Sequence, residues 1–163
     1  MALSIFLLIA IIALGGDART PPAGAVSFFR YYNGGICDHF YTTNWGELGR
    51  GKAGWNYEKT EGRIYSSRVS GTVPLYRWWN GKDHFYTGQS LSFRNHGYTS
   101  GGVAGYCFPG DLGSRTIPLY RWYHGGRCNN HFYTTSYTEG RRSGYKYEGV
   151  VCYVVKVRYE FLN

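Results

Sequence analysis

The chain has 163 residues, with 18 Lys and Arg against 10 Asp and Glu for a formal net charge of +8, and it is rich in Tyr (17) and Gly (24) with a single Met. That length supports one core, and the excess of strand and turn formers over helix formers excludes a helical bundle and predicts an all-β protein. The positive balance favours anionic partners through its summed field.

In chain order, the run from Ala2 to Leu14 is apolar and uncharged, too short to span a bilayer, and is followed by the small residues Gly15, Gly16 and Ala18. This pattern predicts a secretory signal peptide over residues 1–18, cleaved between Gly15 and Ala18, and a single domain over 19–163. No later stretch is long and apolar enough for membrane insertion. A secreted, extracellular location disfavours nucleic acid and leaves glycans, sulfated or sialylated ones among them, as the matching partners of a basic surface. Cys37, Cys107, Cys128 and Cys152 are then expected to form two disulfides, with three pairings open, and the absence of any C-x-x-C argues against a zinc ribbon.

Self-similarity is the strongest signal in the mature chain. The segment beginning Val26-Ser27-Phe28-Phe29-Arg30 returns as Val73-Pro74-Leu75-Tyr76-Arg77 and again as Ile117-Pro118-Leu119-Tyr120-Arg121. A second block follows each time, Asp38-His39-Phe40-Tyr41-Thr42, Asp83-His84-Phe85-Tyr86-Thr87 and Asn130-His131-Phe132-Tyr133-Thr134, placing the histidines 45 and 47 residues apart. A third block, Gly54-Trp55-Asn56-Tyr57-Glu58, Gly97-Tyr98-Thr99-Ser100-Gly101 and Gly144-Tyr145-Lys146-Tyr147-Glu148, is looser, and the second copy lacks its Tyr-Glu pair.

The reading is three internal repeats of about 45 residues, over 26–72, 73–116 and 117–163, each supplying three or four short strands. The first two blocks form a hairpin about a Gly-bearing turn, and stretches such as Trp45 to Gly51 are glycine-broken loops with one helical turn. One copy cannot bury its aromatic face alone, so the copies pack together with pseudo-threefold symmetry. A β-trefoil-like closure is the favoured architecture, and a small propeller- or prism-like β fold is the alternative.

The blocks Val73-Pro74-Leu75-Tyr76-Arg77 and Asp83-His84-Phe85-Tyr86-Thr87 resemble the repeat of an uncharacterised secreted family with the pattern PLYR-x-YN, DHFYTT, GW-x-YEG-x-x-GY. The resemblance spans residues 26–155 and implies an extracellular module found beside carbohydrate-active or cell-surface partners. Repeat 1 departs from the pattern at Lys59-Thr60-Glu61. The Gln-x-Trp signature of ricin-type trefoil lectins is absent, so likeness to those lectins is architectural.

Strand alternation puts His39 and Tyr41 on one face and Phe40 on the other. With the phenylalanines inward, the expected sugar-binding surface consists of Asp38, His39 and Tyr41 with their counterparts Asp83, His84, Tyr86 and Asn130, His131, Tyr133. Asn33, Asn80 and His124 from the hairpin turns complete it. Aromatic faces meet the C–H side of a pyranose and fixed polar groups meet its hydroxyls. Packing alone explains the same recurrence if these side chains satisfy buried backbone groups. Arg30, Arg77 and Arg121 fit stacking on a neighbouring ring better than anion binding, and Trp78, Trp79 and Trp122 suit core or platform equally. A zinc site at His39, His84 and His131 lacks an evident outer shell. No cofactor is expected, and no recurring carboxylate pair, G-x-S-x-G elbow, H-E-x-x-H helix or P-loop marks an enzyme. The sequence therefore predicts a non-catalytic, multivalent lectin-like protein, with a disulfide-stabilised structural or protein-binding module as the alternative.

Overall fold

The computed structural model describes residues 22–142 and 144–157, so the expected leader lies outside it. The fold is all-β and is built from three successive strand sets. The first holds β1 (Val26–Asn33), β2 (Asp38–Thr42), a short helix α1 (Trp45–Leu48), β3 (Gly51–Lys52) and β4 (Trp55–Ile64). The second holds β5 (Val73–Trp79), β6 (His84–Thr87) and β7 (Thr99–Cys107); the third holds β8 (Thr116–His124), β9 (Asn130–Thr134), helix α2 (Tyr137–Arg142) and β10 (Lys146–Val155). In each set the first strand pairs antiparallel with both others. Three long strands therefore form per set, to which only the first adds the two-residue β3.

Local chemistry accounts for these elements. Asn80 closes the β5–β6 turn by accepting from the backbone of Lys82 and Asp83 at 3.0 and 2.8 Å, and Asn33 accepts from Gly35 at 3.0 Å. Asn44 caps α1 by accepting from Gly46 N–H at 2.9 Å. Register shifts interrupt β1–β4, β5–β7 and β8–β10. The bulged strands turn inward at three-residue intervals, Leu75 then Trp78 and Leu119 then Trp122, where a flat strand would alternate by two.

The strand sets meet at two levels. β4 touches β10 at Arg63 and Val155, Tyr65 bridges to Tyr106 and Phe108 bridges to Tyr153, so the outer strands of all three sets are joined in turn. The inner strands β2, β6 and β9 meet in the core, where Tyr41, Tyr86 and Tyr133 are fully buried with Phe28, Leu75 and Leu119. The expected orientation of the second strand is thereby corrected: the tyrosines, not the phenylalanines, face the centre. The cysteines form Cys37–Cys128, between the first and third hairpin turns, and Cys107–Cys152, between β7 and β10.

Candidate functional site

Three recurring residues from each strand set form cyclic arrangements, each member binding a neighbouring set. The Tyr86 hydroxyl accepts from Tyr41 N–H at 2.8 Å and donates to the Tyr41 carbonyl at 2.9 Å. Tyr133 does the same to Tyr86, at 2.7 and 3.0 Å, and Tyr41 to Tyr133, at 2.8 and 2.7 Å. Burial raises all three phenols well above the ordinary tyrosine range. Each hydroxyl is committed as donor and acceptor, so Tyr41, Tyr86 and Tyr133 hold the core and are removed from the ligand-binding set.

Asp38, Asp83 and Asn130 are likewise buried. Asp38 accepts from the backbone N–H and Nδ1 of His84 at 3.1 and 2.6 Å, and Asp83 from those of His131 at 2.7 and 2.6 Å. Burial raises the Asp38 carboxyl above its ordinary value against the pull of His84. Asn130 accepts from His39 N–H at 3.2 Å and donates from Nδ2 to His39 Nδ1 at 2.8 Å. His39 therefore carries its proton on Nε2, whereas His84 and His131 carry theirs on Nδ1. Burial, aided by the neighbouring charge of Arg30, lowers His39 to about 3. These acids and the amide position histidines and present nothing to a ligand.

Each imidazole lies between two rings. His84 stacks on Trp79 at 4.2 Å and meets Phe40 at 5.0 Å; His131 lies between Tyr123 and Phe85, and His39 between Tyr32 and Phe132. Arg30, Arg77 and Arg121 cover the phenylalanine of the preceding set, at 4.9, 5.0 and 4.9 Å. Trp78 and Trp122 are buried, whereas Trp79 serves the histidine stack. Asn33 and Asn80 bind their own turns, and His124 packs on Tyr145 at 5.1 Å.

The three seams between sets differ in what fills them. Between the third and first, Arg30 binds Glu58, Glu61 and Glu139 at 2.7, 2.5 and 2.8 Å, with Lys59 beside Glu61 and Glu139. Burial of Glu139 works upward, but the bonds from Arg30 and Thr134 outweigh it and lower the carboxyl to about 2. Between the second and third, Arg121 binds Glu148 at 2.8 Å, and Glu148 lies 3.6 Å from His131 Nε2. Glu58 approaches His39 Nε2 in the same way at 3.7 Å. The corresponding position of the second set is Gly101, whose carbonyl accepts from Arg77 at 3.3 Å.

A second difference separates the first set from the other two. Tyr98 donates to Asp83 at 2.5 Å and the Tyr145 hydroxyl accepts from Asn130 at 2.9 Å, whereas the first set has Trp55 there. Trp55 lies against Phe40 and His84 at 5.6 and 5.7 Å. At this seam lies a concavity of about 180 Å³, lined by Phe40, Glu47, Leu48, Trp55 and His84. Larger clefts lie by Arg63, Arg115 and Lys156, and by Arg121 and Glu148; neither is lined by an aromatic residue.

Of the twelve expected ligand residues, only His84 lines this pocket. Phe40, Glu47, Leu48 and Trp55 escaped notice, because Phe40 was expected in the core and Glu47 and Leu48 lie in the loop after the second block. The missing Tyr-Glu pair of the second repeat was the visible sign.

This combination of buried rings and an aromatic-lined seam defines a disulfide-linked all-β protein with a repeated unit. The chain matches the family described as a domain of unknown function, DUF5648, over residues 14–107 and again over 88–155, and it belongs to that family. No curated protein and no solved structure matches it.

Proposed function

We propose that this chain is a secreted, lectin-like carbohydrate-binding protein without catalytic activity, built with pseudo-threefold symmetry from three repeats. The observation that carries the reading is the open seam, where two aromatic side chains, a carboxylate and an imidazole surround one small concavity. Sugar recognition uses that mixture of apolar wall and fixed polar groups. Two disulfides suit an oxidising compartment, and no helix among the described residues is long and apolar enough to cross a membrane.

The test is a glycan array followed by competition with free sugar. Retention of specific glycans, displaced by the matching monosaccharide and lost on Trp55→Ala, is the expected result. One observation favours the second reading, a structural or protein-binding module: most of the recurring polar residues are consumed in contacts between sets. An array with no competable binding would leave that reading in place.

A further inference from the structure

Resting on the lectin reading of the same pocket, we infer that its ligand is an uncharged, hydroxyl-rich terminal pyranose, in spite of the chain's formal net charge of +8. A concavity of about 180 Å³ falls below the roughly 300 Å³ at which drug-sized sites begin, and so fits a single ring. Phe40 and Trp55 supply apolar walls for its C–H face.

The polar groups set the charge. Asp38 accepts the Nδ1 proton of His84, so Nε2 is the ring nitrogen left for a ligand, an acceptor in the neutral form of the imidazole, and no carboxylate of its own strand set reaches it as Glu58 and Glu148 reach His39 and His131. Glu47 lines the same concavity and is an acceptor as well, with its Oε2 sealed from solvent. Its other oxygen lies 3.8 Å from Arg77, whose guanidinium already covers Phe40 and bonds to Gly101. An imidazole and a carboxylate beside an apolar wall favour donors from the ligand. Hydroxyls supply them, whereas a sulfate or sialyl carboxylate brings further acceptors and meets the Glu47 charge.

The full chain is screened on an array of neutral, sialylated and sulfated glycans at about 50 mM and about 500 mM salt, a range over which exposed charge attraction is strongly screened. The expected result is binding to glycans with neutral terminal sugars, changed less than about twofold by salt and weakened about tenfold or more by Trp55→Ala. Gly101→Glu serves where Trp55→Ala fails to fold: a side chain there would meet Arg77 Nε at 2.9 Å, so Arg77 shifts to pair with the new acid beside His84, and binding is abolished while a cooperative thermal melt shows a folded protein. Binding confined to sialylated or sulfated glycans, lost in salt and unmoved by either variant, overturns the inference and leaves the lectin reading standing. Binding to no glycan overturns both.

Discussion

Removing one hydroxyl from the tyrosine ring orphans two backbone groups together. Tyr86→Phe leaves the N–H and carbonyl of Tyr41 unpaired in the core, and with about 1–3 kcal/mol for each buried unsatisfied group we expect about 2–6 kcal/mol of lost stability. Urea unfolding of the variant measures it, and a midpoint equal to that of the parent would show that water reaches the ring. His39 contributes a pH dependence. Its folded value of about 3 lies below the ordinary 6.5, so below about pH 6.5 the unfolded chain takes up a proton that the fold refuses. Stability then falls by about 1.4 kcal/mol per pH unit until roughly pH 3. His39→Gln should flatten that slope in acid titrations followed by thermal melts; an unchanged slope would mean that His39 protonates freely in the fold. The sequence marked these residues through their recurrence, but recurrence does not distinguish a residue that binds a ligand from one that binds its neighbour. Only the distance from Asp38 to His84, in another copy, does so.

At the level of elements, the hairpins and the single helical turn in the loop after the second block were legible, because Asn-Gly turns and glycine-broken segments have local causes. The facing of the inner strand was not. Alternation separates His39 and Tyr41 from Phe40, but which face is core depends on what the other strand sets supply. The bulges that turn Leu75 and Trp78 inward leave no mark in composition. Contact between elements is close where side chains are absent: a Cβ at Gly140, on α2, would fall within the indole of Trp122, on β8. Gly140→Ala is expected to cost about 1–3 kcal/mol as α2 shifts away. Differential scanning calorimetry would show it, and an unshifted transition would mean that α2 is not seated on β8.

For the whole molecule, the all-β class and the two disulfides could be anticipated from the sequence, but the pairing could not, since it depends on which turns and outer strands meet. Cys107–Cys152 and Cys37–Cys128 span 45 and 91 residues, so the loop-entropy treatment assigns about 4 kcal/mol to the first and about 4.6 kcal/mol to the second. Cys107→Ala with Cys152→Ala should lower the urea midpoint accordingly while the other bridge persists under mass spectrometry. A midpoint equal to the parent's would place the stability in the hydrogen-bonded core alone.

The reciprocal bonds of the tyrosines, and of the acids and amide with the histidines, restrict how such a molecule can change. A substitution in the central rings must be tolerated by a neighbouring copy, so those positions are held in step. The seam positions answer to fewer partners: Trp55 in place of Tyr98 or Tyr145, and Gly101 in place of Glu58 or Glu148, each alter one junction and spare the other two. A change at a seam can therefore remodel one junction at a time while the central rings stay fixed.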